Sequence, residues 1–478
     1  MTRPDSPDFH GAMKAFRDSL PASDDLGQDL IGKGAEVEGP FGKRKLVYAD
    51  YVASGRALRR IEGFILDEVL PFYANSHTEA SYCGSFVTRL RRDARAAIAA
   101  CCGASSDHAV IFAGSGATAG LNRLVNLLGA RERVRVVIGP YEHHSNILPW
   151  RESGAEVIEL DEAAGGGPDL QQLDDALSAR GFDRVIVALS AASNVTGIVS
   201  DVVTITRKVK AAGALMVWDY AGGGPYLPID MCPAPDALID AIVTSPHKFI
   251  GGPGASGVMI LRKDAVVSTK PTWPGGGTVR FVSSDAHDYL TSIEAREEAG
   301  TPNVLGDIRA GLVFVVKDAL GQEAISARNA DLVRKAMSHW SRVPQIELLG
   351  SLTAPRLPIF SMRLRKPDGT YLNAQLAARM LSDHFGIQAR GGCACAGPYA
   401  HRLLAVSEAQ SARLRHDILA GNEMEKPGFL RLNFSVLMGA PEVDFILESL
   451  ATLARDAAAL ETGYDFDAAA AVFVARAA

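Results

Sequence analysis

Short apolar runs alternating with helical stretches constrain this chain more than any other feature. Residues 109–112, 134–138, 184–189, 214–218 and 240–244 are dominated by Val, Ile, Leu, Ala, Met, Phe and Trp. They are too short for helices and read as strands buried on both faces. Between them, residues 87–102, the stretch from 116 to 128, and residues 170–179 and 202–212 carry the three- and four-residue apolar spacing of helices. Strand-helix alternation predicts an α/β architecture, and ligands of such sheets gather at the carboxyl ends of the strands. With 478 residues, 47% of them apolar, the chain can hold one large domain and a smaller one.

Chemistry is therefore sought in the segments that leave the strands. After 240–244 comes Ser-Pro-His-Lys-Phe-Ile-Gly-Gly-Pro-Gly-Ala-Ser at 245–256, and then a further strand at 257–261. Lys248 is thus held on a turn with glycines close behind it. A confined, partly desolvated amine loses some of its preference for the ammonium form and can condense with an aldehyde. Ser245 and His247 flank it as phosphate donors. After 109–112 the small residues 113–122 run into a helix, which makes an anion site of free backbone N–H groups and a positive helix end. Asp219 closes the strand at 214–218, Asn194 follows the strand at 184–189, and Glu-His-His-Ser-Asn-Ile-Leu-Pro-Trp at 142–150 follows the strand at 134–138.

In this order the motifs resemble the class V aminotransferase family of pyridoxal-phosphate (PLP) enzymes, and within it the cysteine desulfurase and selenocysteine lyase branch. The resemblance extends from about Asp50 to Arg431. It implies PLP fold type I, a large domain with a mostly parallel seven-stranded sheet and a smaller α/β C-terminal domain. The expected divisions are an N-terminal arm at 1–45, a PLP-binding domain at 46–314 and a small domain at 315–478, with an insertion at about 399–428. Lys248 would be the cofactor lysine and Ala117 and Thr118 the phosphate contacts. His143 would stack on the pyridine ring and carry protons with a pKa near neutrality, while His144 is read as an ordinary polar-turn residue. Asn194 would contact the ring oxygen, and Asp219 would keep the ring nitrogen protonated. The turn after Asp50 would lie at the substrate mouth. Gly277 and Thr278, in Trp-Pro-Gly-Gly-Gly-Thr-Val-Arg at 273–280, would complete the phosphate site of the partner in a homodimer.

The C-terminal part supplies the rest. Arg390 precedes Cys395 by five residues, the spacing that this branch shows before its nucleophilic cysteine, and Arg390 is a further candidate at the substrate. Arg431 stands where the family places its substrate-carboxylate arginine, and a guanidinium fork suits that task. Two departures stand out. The branch has Asp-Gly-Ala-Gln where this chain has Asp219-Tyr-Ala-Gly222, so a donor to the ring oxygen is missing, and Cys393 has no counterpart in the relatives. The alanine-rich stretch after Asp465 is expected as a packing helix.

Forty-nine basic and 55 acidic residues, with no block of like charge, give no sign of a nucleic-acid or membrane partner. No apolar run approaches the about 20 residues that span a bilayer. Six scattered cysteines make no disulfide framework, the pairs at 101/102 and 393/395 lack zinc-site spacing, and no metal is expected. A reducing cytoplasm is the expected compartment. The expected reaction is PLP-dependent conversion of L-cysteine, or an analogue, to L-alanine, with sulfur held as a persulfide on Cys395 before passage to an acceptor protein. The alternatives are another class V enzyme not using Cys395 (a C–S or selenocysteine lyase, epimerase or transaminase) or a PLP-binding protein without turnover.

Overall fold

The alternation resolves into one sheet of seven strands: β1 (His108–Gly114), β2 (Val134–Ile138), β3 (Glu156–Glu159), β4 (Arg184–Ser190), β5 (Leu215–Asp219), β6 (Ala241–Thr244) and β7 (Gly257–Arg262). Their order is β1-β7-β6-β5-β4-β2-β3. All contacts from β3 to β6 are parallel, and β7 alone runs against its neighbours. The fold is the α/β architecture expected. The structure, a computed structural model, describes residues 7, 9–21, 23–75, 79–421, 426–467 and 470–476. Parts of the expected arm (1–6, 8 and 22), of the insertion (422–425) and of the C-terminal stretch (468, 469, 477 and 478) lie outside these residues.

The two-residue period of a strand sends alternate side chains to opposite faces. Phe112, Leu189, Trp218 and Ile242 pack on one side with helices Tyr82–Cys101 and Val304–Leu320. Ile111, Ala188, Val217 and Val243 pack on the other with helix Gly116–Leu127. Trp218 is fully buried, and its Nε1 donates to Thr206 Oγ1 at 2.9 Å. Truncating such a residue to alanine costs about 3–5 kcal/mol.

A second sheet follows, of β8 (Ile346–Leu348), β9 (Ile359–Leu364), β10 (Arg390–Gly392) and β11 (Phe429–Asn433), in the order β8-β9-β11-β10 and antiparallel throughout. Helices Ala374–Phe385 and Ala440–Glu461 cover it around Trp340, Phe360 and Phe434. The strand Val47–Tyr48 joins this layer: it pairs in parallel with Ile387–Gln388, and Val47, Ala49 and Tyr51 are buried in the same core. The turn after Asp50 therefore stands between the two sheets.

Three elements differ from, or add to, the sequence reading. The stretch after Asp465 is not a helix. Tyr464–Asp467 and Val472–Ala475 form a hairpin: the first alternates aromatic and acidic residues, the second is the β-prone run Val-Phe-Val-Ala, and Phe466 meets Phe473 across it at 5.0 Å. In the arm, helix Gly11–Asp18 is joined by a hairpin of Glu36–Gly39 and Gly42–Lys45 that the sequence reading lacked. Helix Gly397–Leu403 begins just ahead of the expected insertion (about 399–428), and helix Glu408–Leu419, which a Ser407/Gln410 capping box begins, lies within those bounds.

Candidate active site

β1, β4, β5 and β6 end around a cavity of about 250 Å³, which the second sheet closes with Arg390, Cys395 and Arg431. Ala117, Thr118, His143, Asn194, Asp219, Ser245, His247 and Lys248 all line it. Gly277 and Thr278 do not. Thr278 is buried beside its own loop, and its hydroxyl donates to Gly275 O at 2.6 Å.

Lys248 ends the tight turn Pro246–Lys248 that follows β6. The glycine behind it is required by close approach: a Cβ on Gly252 would lie 2.1 Å from Pro246 O. Burial lowers the Lys248 amine from 10.5 to about 8, against the opposing pull of Asp219 and with a contribution from Arg431. An appreciable fraction is therefore neutral near pH 7. Asp219, at the end of β5, is buried and accepts from Ala221 N at 2.7 Å; burial raises its pKa while Lys248 opposes the shift.

The anion cradle is built where β1 meets helix Gly116–Leu127. Gly116 has φ 65°, and a Cβ there would lie 3.0 Å from Ser245 Oγ and 3.2 Å from His247 Cε1, so only glycine leaves the space free. Ala117 N donates to Ser245 Oγ at 3.0 Å. Thr118 Oγ1 lies 2.7 Å from Ser145 Oγ, which lies 2.9 Å from His143 Nδ1. Since His143 Nδ1 also accepts from Ser145 N at 3.1 Å, the ring proton resides on Nε2. Burial first, and Lys248 next, push His143 down from 6.5 to about 4. This corrects the near-neutral value expected from the sequence: the ring is neutral at physiological pH, which keeps it suited to stacking. Burial likewise lowers His247 to about 4.

On the opposite wall, Arg390 and Arg431 are register partners in β10 and β11. Arg431 is buried, with Nη1 donating to Asn194 O at 3.0 Å and Nη2 to Asp50 Oδ1 at 2.9 Å. Arg390 Nε donates to the other Asp50 oxygen at 3.0 Å. Cys395 is exposed on the cavity wall, in a left-handed conformation with φ 54°. Cys393 is half-buried and packs beside Tyr141, Tyr399 and Phe429.

Several contributors were missed by sequence reasoning. His144 holds the cysteine loop: its N–H donates to Cys395 O at 2.9 Å, and its Nε2 accepts from Gly397 N at 3.0 Å. Glu142 is buried and accepts from Ser190 N and Oγ (2.8 and 2.7 Å) and from Asn146 Nδ2, pinning the histidine loop to the end of β4; burial raises it to about 7. Asp50 was placed at the mouth without its two arginine partners. Contacts across 340 and 381 residues leave no local pattern to read.

The site fits pyridoxal phosphate on its own geometry. A lysine whose amine is lowered to about 8, a buried carboxylate and a glycine-cleared helix start converge, and Asn194, whose Nδ2 donates to Ala394 O, has a buried Oδ1 without a partner among the described residues. Gly222 lines the cavity and presents no side chain to Asn194.

Comparison with known proteins agrees. The chain is 30% identical over 362 residues to a cysteine desulfurase of Enterobacter sp. (strain 638), covering 74% of this chain and 85% of that one. It is 31% identical over 366 residues to a probable cysteine desulfurase of Vibrio cholerae, at 74% and 85% coverage. Among solved structures, apo cysteine desulfurase from Thermococcus onnurineus NA1 superposes with a TM-score of 0.73 at 22% identity, over 91% of this chain and 99% of that one. The pattern of the Aminotransferase class-V family matches residues 47–444, and the chain belongs to that family of PLP-dependent enzymes.

Proposed function

We propose that the protein is a PLP-dependent cysteine desulfurase that converts L-cysteine to L-alanine and retains the sulfur on Cys395. The observation that carries the reading is that Lys248, Arg431 and Cys395 line one cavity.

Lys248 would anchor the cofactor, with Ala117, Thr118, Ser245 and His247 at its phosphate, His143 on its ring, Asn194 at its ring oxygen and Asp219 at its ring nitrogen. Bound PLP supplies an aldehyde for amine condensation and an electron sink for charge developing at Cα. Arg431 binds the substrate carboxylate with the donors that Asn194 and Asp50 leave free, and its Nε is buried without a partner among the described residues. Lys248, whose pKa of about 8 makes it a competent base near neutrality, takes the Cα proton. The Cys395 thiolate attacks the substrate sulfur: an S–S bond forms, the Cβ–S bond breaks and its electron pair stays with the carbon fragment, which is protonated to alanine. The enzyme thiol and L-cysteine thus become enzyme persulfide and L-alanine, with no external oxidant.

Gly277 and Thr278 would meet the phosphate site of a second copy in a homodimer, and the persulfide would pass to an acceptor protein in a reducing cytoplasm. Cys83, Cys232, Cys393 and Cys395 are free thiols. The test mixes holoenzyme with L-cysteine and measures alanine and protein-bound persulfide in equal amounts. Alanine with free sulfide and an unmodified Cys395 would replace this reading with a lyase that does not use the thiol.

A further inference from the structure

Asp50 lies between the two arginines at the substrate wall, one carboxylate oxygen on each: Oδ1 with Arg431 Nη2 at 2.9 Å and Oδ2 with Arg390 Nε at 3.0 Å. Its position is built in. Tyr48 Oη donates to Asp50 O at 3.2 Å, and the N–H of Ala53 donates to the same oxygen at 3.0 Å. On either side of it, Asn433 N donates to Ala49 O at 2.8 Å and Val52 N donates to Asn433 Oδ1 at 3.0 Å. Asn433 is two residues beyond Arg431 on β11, so the carboxylate and the guanidinium it meets are tied to one strand. Arg390, about half exposed, has no such backing and faces Arg431 as its register partner.

Two guanidiniums side by side form a receptor for two carboxylates. With Asp50 between them the wall carries two positive charges and one negative, which leaves one net charge for one incoming carboxylate. We propose that Asp50 is a specificity-determining, positioning residue: by engaging Arg390 it restricts the wall to monocarboxylic amino acids and turns away those with an acidic side chain. It touches no reacting atom and acts through the two arginines. The inference rests on the proposed role of Arg431 as carboxylate receptor and extends it to the choice among amino acids.

The test is binding, read without turnover. Holoenzyme is titrated with L-alanine and with L-aspartate, followed by cofactor absorption and by calorimetry. The expected result is that Asp50→Asn lowers the Kd of L-aspartate relative to that of L-alanine by on the order of tenfold or more, because a second cationic subsite opens. Asp50→Glu, which keeps the charge, should restore the native preference; a purely structural role would weaken both ligands alike. A ratio unchanged within about twofold in Asp50→Asn overturns the proposal. A second measurement needs no substitution: against L-alanine, succinate should compete with the native holoenzyme no better than butyrate, and succinate binding about tenfold tighter overturns it equally. A protein that binds these ligands as expected yet yields no persulfide from L-cysteine would sink the proposed reaction and leave this inference standing.

Discussion

The two walls of the cavity are built on different principles. Lys248, Asp219 and the phosphate cradle sit where strands of one sheet end, within a few residues of buried β1, β5 and β6, and backbone geometry alone brings them together. Arg431 and Arg390 come from another sheet and Cys395 from the loop after it; hydrogen bonds across the gap connect them to the first, Asn194 to Ala394 and Arg431 and His144 to Cys395 and Gly397, while Asp50, from the turn between the sheets, holds both arginines. The wall of Lys248 and Asp219 is fixed by the core of its own sheet, whereas the wall proposed to meet substrate and sulfur is joined to it by polar contacts and by the apolar cluster of Tyr141, Val195, Ala396, Tyr399 and Phe429. Rigid placement suits a group that must stay put; a tethered loop suits a thiol that must reach a substrate and then present its sulfur outward.

The largest effects should fall cleanly on one wall or the other. Lys248→Ala should abolish covalent retention of the cofactor, so that borohydride fixes none, and turnover with it. Cys395→Ala should retain cofactor and its absorption band yet lose persulfide formation by at least about 1,000-fold, as expected when a nucleophile is removed. Undiminished turnover in Cys395→Ala would leave the comparison without a catalytic meaning for the second wall.

The next effect belongs to the cofactor wall and is read against pH. Condensation needs the neutral amine, and Lys248 is lowered to about 8, so the neutral fraction grows as pH rises toward that value and is nearly complete above it. Covalent capture of PLP by the apo chain should therefore speed up about tenfold per unit below pH 8 and level off above it. His143, lowered to about 4, adds no limb in this range. A plateau reached only above pH 10 would show that the amine is not desolvated, and stopped-flow absorption decides between the two.

A smaller effect tests the tether. His144→Ala removes the acceptor for Gly397 N while leaving the backbone bond to Cys395 O, so persulfide formation should fall by roughly tenfold with cofactor affinity unchanged, about the worth of one well-placed hydrogen bond. An equal loss of cofactor would mean that the walls are not independent. Smallest of all should be Cys393→Ala, with alanine formation changed by less than about twofold, because Cys393 packs beside Tyr141 and Tyr399 and does not line the cavity. Persulfide labelling of each single mutant separates the two thiols.

Local pattern in the sequence was enough for the first wall. A strand, a glycine-rich turn and a reactive side chain within ten residues dictate their own geometry, so the places of Lys248, Asp219, Ala117 and Thr118 at strand ends were legible from the residues around them, while their roles came from the family resemblance. The same locality misled where propensity was weak: the alanines after Asp465 read as helix, but Tyr464 and Phe466 on one side and Val472, Phe473 and Val474 on the other paired into a hairpin once a surface was there to receive Tyr464, whose hydroxyl donates to Asp383 at 3.1 Å. What only the tertiary structure decided is what lies between residues far apart in the chain. His144 looked like a bystander until Gly397 closed on it, His143 lost its near-neutral pKa through burial beside Lys248, and Asp50 acquired two arginines from strands more than 300 residues away. Desolvation and long-range ion pairing depend on which surfaces meet when the two sheets pack, and no neighbouring residue records that.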